Sequence, residues 1–265
     1  MTEPPKPEFS DHFSQGASGY LRFRPVYPPE LVDLLSGFTP GRERVWDAGC
    51  GSGQLSVPLA RVFGEVVATD ASRRQVEQGV PHPAVTYRQA PAEASGLPRR
   101  YVDLSVSAQA AHWFDLVGYY GEVRRVTRSG GAVALITYGP PVLEGEVGRR
   151  LHRFRTRDLE SYWPPERRHV EEGYAGLPVP FPPVEGLPPR PQLHMKREWS
   201  LEELLGYVGT WSAVRAMARA EGWELLDRLR ADLAREWGPG ERRLEVRWPL
   251  TVRAGRVVRG EPGSE

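Results

Sequence analysis

Cysteine occurs once in this chain, as Cys50. That excludes an intramolecular disulfide and a cysteine-based zinc site, and a reducing compartment is the natural expectation. Lysine is nearly missing too, present only as Lys6 and Lys196, so the positive charge rests on arginine, whose planar fork suits carboxylates and phosphates wherever it lines a pocket. Neither sign of charge is in excess: 35 basic and 34 acidic residues leave +1. The electrostatic footprint of a nucleic acid or an acidic membrane as partner is therefore lacking. No apolar run approaches membrane-spanning length, and the opening MTEPPKPEFS has no signal-peptide core, so the cytoplasm is the expected location. The histidines, His12, His82, His112, His152, His169 and His194, are scattered without ligand spacing, and no metal site is expected.

What is present is enough apolar sequence, 40% of 265 residues, for a sizeable core. Residues 1 to about 40 read as a polar, proline-rich arm, with a short helix over Glu30 to Leu35. Strand and helix patterns then alternate. Strands are expected at Arg44–Ala48, Glu65–Thr69, Val85–Arg88, Val102–Ser107 and Ala132–Thr137. Helices are expected at Leu55–Phe63, at Ser72–Gln78 capped by Ser72, and from Asp115 to a stop at Gly130 and Gly131, with Arg124, Arg125 and Arg128 at its negative end. Such alternation argues for a parallel sheet covered on both faces. Residues 140 to 175 read as a charged helical insertion, and residues 178 to 191 hold seven prolines, an extended connector. Leu193–Glu198 reads as a strand, Ser200 with Glu203 as a capping box, Thr210 as the cap of a following helix, Trp223–Trp237 as another helix and Leu244–Val252 as a last strand.

The segment Val45-Trp-Asp47-Ala48-Gly49-Cys-Gly51-Ser-Gly53 carries chemistry. A strand runs into three alternating glycines and a helix, which permits a sharp turn, close approach of a ligand, and an anionic group at the helix N-terminus. A dinucleotide fingerprint would need glycine where Gln54 stands. Asp70 ends the second strand, where a carboxylate can accept from both hydroxyls of an adenosine ribose; by itself it does not separate nicotinamide enzymes from others.

The spacing G-x-G-x-G, with an acid two residues before the first glycine, is similar to that of class I S-adenosylmethionine-dependent methyltransferases. The segments Gln89-Ala-Pro-Ala92-Glu93, Ser107-Ala108-Gln109-Ala-Ala-His112-Trp113-Phe-Asp115 and Ser129-Gly-Gly131 follow in that family's order. In the flanks, Tyr20-x-x-x-Arg24-Pro-x-Tyr27-Pro and Thr210-Trp-Ser-Ala213 resemble the methyltransferase type 11 and trans-aconitate methyltransferase-like subgroup.

This resemblance implies a Rossmann-like α/β fold with a seven-stranded, mostly parallel sheet in the order 3-2-1-4-5-7-6. It implies a core of residues 41–139 and 191–265, a helical cap insertion at 140–190, and an N-terminal arm, 1–40, over the cofactor site. S-adenosylmethionine is the implied cofactor. Its implied contacts are Tyr20, Arg24, Asp47, Ala48, Gly49, Gly51, Gly53, Asp70, Ala71, Gln75, Ala92, Glu93, Ser107, Ala108 and Gln109, with Arg24 on the cofactor's carboxylate and either Glu93 or the Ala92 main chain on the adenine. His112, Trp113 and Tyr20 are substrate-side candidates, and no residue is assigned as a general base. The expected acceptor is a small molecule, and the narrower expectation is one bearing a carboxylate, which is itself a nucleophile and needs no base. Arginines of the insertion would face it, unless they form a solvated face paired with Glu144, Glu146, Asp158 and Glu160. A nicotinamide-dinucleotide oxidoreductase and a cofactor-binding protein without turnover are the alternatives. Oligomeric state is open, with a monomer favoured.

Overall fold

In the computed structural model, which describes residues 25–187, 193–238 and 241–258, the apolar runs of the first half become parallel strands. They are β1 (Arg44–Ala48), β2 (Glu65–Asp70), β3 (Val85–Gln89), β4 (Val102–Ala108) and β5 (Thr127–Tyr138). With β6 (His194–Trp199) and β7 (Leu244–Arg256) they form a seven-stranded sheet in the order β3-β2-β1-β4-β5-β7-β6. The pairs among β1 to β5 are parallel, and β7 runs antiparallel to both β5 and β6. This is the Rossmann-like order expected.

Successive residues of the central strands point to opposite faces, and both faces are covered. Val45, Val66, Leu104, Ala134 and Ile136 join one core; Trp46, Val67, Val133 and Leu135 join the other. Burial on both sides is why these strands read as unbroken apolar runs. The first core is closed by α1 (Pro29–Gly37), α5 (Gly145–Arg153), α7 (Leu201–Val208), α8 (Ser212–Glu221) and α9 (Glu224–Trp237). The second is closed mainly by α4 (Leu116–Val126), through Tyr119, Tyr120, Val123 and Val126, and by Val170 of α6 (Arg167–Glu171), Tyr174 and Leu177. Two short helices, α2 (Ser56–Leu59) and α3 (Arg73–Glu77), follow β1 and β2.

Three expected caps form. Ser72 Oγ accepts from Gln75 N, Asp115 Oδ1 accepts from Val117 N at 3.1 Å, and Ser200 and Glu203 make both halves of a capping box. Three expectations are corrected. The helix predicted over Leu55–Phe63 has one α-helical turn, Ser56–Leu59. The helix predicted to run to Gly130 ends at Val126, and Arg128 lies in β5. Buried Asp103 explains this: it accepts from Glu43 N (2.8 Å), Arg44 N (3.0 Å) and Arg128 Nη1 (2.8 Å), so its charge draws Arg128 into the sheet. Thr210 does not cap α8; its hydroxyl donates back to Tyr207 O at 2.6 Å, and Trp211 is the residue before the helix.

Between β5 and β6 lie α5, a π-helical turn at Phe154–Asp158, a 3₁₀ turn at Glu160–Tyr162, α6 and, through Leu187, irregular chain with turns. Isolated bridges Val142↔Arg247 and Pro183↔Gly255 stitch this region to β7. Arg253, on β7, donates Nη1 to the carbonyls of Tyr174 and Leu177.

Candidate functional site

The site is built at the carboxyl ends of β1, β2 and β4, where an open α/β sheet offers a crevice. Asp47 stands in the middle strand, in register with Ala68 and Val106, and is buried. Its Oδ2 accepts from Ser56 Oγ at 2.6 Å, whereas Oδ1 has no partner among the described residues. Burial pushes its carboxyl up to about 7; the Ser56 hydroxyl opposes this and the charge of Asp70 adds to it.

The chain then turns through the glycines. Gly49 N and Cys50 N both donate to Thr69 O, at 2.8 and 3.0 Å, and Gly51 N donates to Asp70 Oδ2 at 2.9 Å. All three glycines have positive φ, +69°, +56° and +92°. At two of them the missing side chain makes room for the protein itself. A Cβ on Gly49 would fall 2.4 Å from Ala110 Cβ, and one on Gly53 would fall 1.9 Å from the Tyr87 hydroxyl. Gly51 instead opens toward the side chains of Gln54 and Gln75. The single turn of α2 leaves little dipole behind the loop, so the anion-at-helix-terminus expectation gains nothing here.

Asp70 ends β2 beside this loop. Its oxygens accept main-chain N–H groups, Oδ2 from Gly51 and Oδ1 from Ser72 at 2.8 Å, which fixes the carboxylate's plane. Carboxylate oxygens accept more than one hydrogen bond each, so this posture is compatible with hydroxyl donors as well. Ala71 O is held by Gln89 Nε2 at 3.1 Å, Gln75 sits one turn into α3, and Ala92 is buried. Glu93 is engaged elsewhere: its Oε1 accepts from Asp115 N at 2.9 Å, at the start of α4. Ser107 is fully buried with Oγ unpartnered among the described residues, and Ala108 closes β4. Gln109, at φ +58°, spends its side chain on β5, donating Nε2 to Tyr138 O (3.1 Å) and accepting from Thr137 Oγ1 (3.3 Å). It ties two strand ends together. Tyr20 and Arg24 lie outside the described residues.

Beyond β4, His112 is half-buried and its Nδ1 is 2.8 Å from the Tyr174 hydroxyl. Burial first, then the charges of Arg167 and His169, push its pKa down to about 3. Trp113 packs against the imidazole at 4.9 Å and is partly exposed. Arg167 lies over the Trp163 ring, 5.0 Å from its centroid, within electrostatic reach of Tyr138 and Tyr207. Its Nε is buried without a hydrogen bond, as are Arg155 Nε and His169 Nδ1. Arg155, Trp163, Arg167 and His169 border a cavity of about 780 Å³ that also touches Glu160, Glu171 and Glu172. Arg155 Nη1 donates to Glu171, which also lies 3.7 Å from Arg167 Nε, and the insertion's other arginines are largely paired too: Arg149 and Arg153 with Glu146, Arg150 with Asp158 and Asp232, and Arg168 with Glu172. Sequence reasoning missed Tyr174, which no motif marks and which only tertiary contact brings to His112.

S-adenosylmethionine fits this donor set. A buried carboxylate with one unused oxygen suits an ammonium group, and a second carboxylate at the loop suits a diol. Among the described residues no cluster of metal-ligating side chains occurs, and no helix is long and apolar enough to cross a membrane.

Strand order and loop together define a Rossmann-like methyltransferase fold. The family described as "Methyltransferase domain" matches residues 46–135. A Dictyostelium discoideum protein described as a methyltransferase is 31% identical over 89% of this chain and 91% of its own. A Mycobacterium tuberculosis protein described as an uncharacterized methyltransferase is 30% identical over 86% of this chain and 87% of its own. A solved structure from Anaeromyxobacter dehalogenans, described as a type II methyltransferase, is 44% identical, covers 90% of this chain and 100% of its own, and superposes with a TM-score of 0.84. The chain belongs to the class I S-adenosylmethionine-dependent methyltransferases.

Proposed function

We propose that this methyltransferase moves a methyl group to a small molecule bearing a carboxylate. The observation that carries the reading is Arg167, which lies over the Trp163 ring near His112 and whose buried Nε makes no hydrogen bond among the described residues, with Glu171 Oε1 only at 3.7 Å. Burying a guanidinium N–H without an acceptor is costly, and an acid on the ligand relieves that cost. Arg155 Nε adds a further unused donor on the same side, beside the unbonded ring nitrogen His169 Nδ1. Some of the insertion's arginines thus make a solvated, paired face, and Arg167 is the one best placed to meet an acid.

S-adenosylmethionine, when bound, supplies a methyl group on a sulfonium, open to displacement. Asp47 Oδ1 would accept from the ammonium, and Asp70 from the ribose hydroxyls. Ala48, Gly49, Gly51, Gly53, Ala71, Ser107 and Ala108 would line the crevice, with Gln75 and Ala92 beside the adenine. Gln109 keeps the end of β4 in place, and Glu93 holds the start of α4, which favours the main chain of Ala92 over Glu93 as the adenine partner. Tyr20 and Arg24 of the arm would cover the methionine portion, with residues 140–190 over the acceptor. The protein's own work is alignment and exclusion of water. The nicotinamide and non-catalytic alternatives find no support in the relatives.

The test is incubation of the purified protein with methyl-labelled cofactor and a panel of small acids, phenols, amines, proteins and RNA. Label is expected in acids. Label in protein or RNA alone would overturn the reading.

A further inference from the structure

We propose that Tyr174 is a positioning residue that fixes His112 as a neutral N–H donor. Its hydroxyl gives its proton to Nδ1, the ring's own proton sits on Nε2, and Nε2–H is left for the acceptor. The inference concerns the acceptor site proposed above and deepens that reading.

The direction of the 2.8 Å contact follows from chemistry and surroundings. A phenol is the better donor and a neutral imidazole nitrogen the better acceptor. The Thr137 side chain, whose proton goes to Gln109 Oε1, and the His112 main chain also lie beside the Tyr174 oxygen. Protonation of both ring nitrogens is opposed by burial, by Arg167 and by His169. Nδ1 is thus an acceptor, and Nε2, which makes no hydrogen bond among the described residues, carries the hydrogen.

The phenol is held where it can do this. Gly173 and Tyr174 both take the left-handed conformation, at φ +60° and +61°, which is strained for tyrosine. Tyr174 N donates to His169 O at 2.7 Å, and Arg253 of β7 grips the Tyr174 carbonyl. The sheet itself therefore sets the ring's place.

A histidine so fixed does not take a proton from the acceptor. Together with Arg167 it offers N–H groups and positive charge, so it selects a nucleophile that arrives ionised, such as a carboxylate, over a neutral hydroxyl or amine.

The experiment is a long-range proton–nitrogen correlation spectrum of the full chain labelled with ¹⁵N-histidine, with His112→Gln to assign the signals. The expected result is an unprotonated Nδ1, a protonated Nε2, and no titration of His112 between about pH 5 and 8. Tyr174→Phe is expected to abolish this single-tautomer pattern and to lower kcat/KM for an acid acceptor about tenfold, the loss of one hydrogen bond, with the Kd for S-adenosylhomocysteine unchanged. A proton on Nδ1 in the wild type, or a Tyr174→Phe spectrum identical to wild type, would overturn the proposal. The wild-type spectrum decides the tautomer even if the variant does not fold. It needs no acceptor, so failure of the acid-acceptor reading would appear in the labelling panel and leave the tautomer result standing.

Discussion

Ser56 Oγ donates to Asp47 Oδ2 at 2.6 Å and leaves the other oxygen of the same buried carboxylate without a partner among the described residues. One hydroxyl orients the carboxylate but does not compensate its charge. Three consequences of the site's chemistry, and one of its packing, can be measured.

Asp47 should set a pH dependence of opposite sign to that of a salt-bridged acid. Its folded pKa is raised to about 7 against an ordinary 3.8, so the folded state holds the proton more tightly than the unfolded. Stability is therefore full below about pH 4 as far as this group is concerned, and falls as pH rises toward 7, by up to about 4 kcal/mol. Asp47→Asn is expected to flatten that slope between about pH 4 and 7, from the ordinary to the raised pKa, and to weaken S-adenosylhomocysteine binding at least tenfold. Thermal melts and calorimetry at the two pH values check both. A slope unchanged in the variant would show that Asp47 is ionised throughout.

Asp70→Ala is expected to cost about 2–4 kcal/mol of cofactor affinity, through charge-assisted bonds to the ribose. It should also lower the melting temperature modestly, because Gly51 N and Ser72 N lose their acceptor. Calorimetry separates the two effects. Affinity within threefold of wild type would mean that Asp70 serves the loop alone.

Arg167→Gln and Arg168→Gln are neighbouring changes with different expected results. Arg168 is exposed and paired with Glu172, and its loss should leave acceptor turnover unchanged. Arg167→Gln should raise KM for an acid acceptor at least tenfold while cofactor affinity stays constant. Steady-state kinetics of both variants give the comparison, and equal effects would remove Arg167 from the acceptor site.

Gly53→Ala should destabilise the protein by about 2–3 kcal/mol, because alanine resists φ +92° and its Cβ would meet Tyr87. Tyr87→Phe removes the hydroxyl at 1.9 Å and leaves the ring carbons at 2.9 and 3.1 Å, so it should rescue part of the loss. A double-mutant cycle by urea unfolding measures the coupling. Strict additivity would show that the two residues do not collide.

How much of this was legible beforehand varies by element. The parallel strands were, because burial on both faces writes them as short apolar runs between turn residues, as in Val66–Ala68 and Val133–Ile136. The caps at Ser72, Asp115 and Ser200 were, because a cap is a local bond over three residues. The end of α4 was not. Gly130 and Gly131 looked like its stop, but the charge of Asp103, from another strand, had already fixed Arg128 in β5.

The same division runs through the site. The glycine loop was legible in residue order alone, because Asp47, the three glycines and Asp70 act through their own backbone and strand ends, with spacing set by covalent geometry. Packing in three dimensions sets which guanidinium nitrogens go without a hydrogen bond, which glycines yield to Ala110 and Tyr87, and that Tyr174 reaches His112 across 62 positions of chain. Those facts depend on who packs against whom, and desolvation and pairing are properties of a neighbourhood that residue order does not contain.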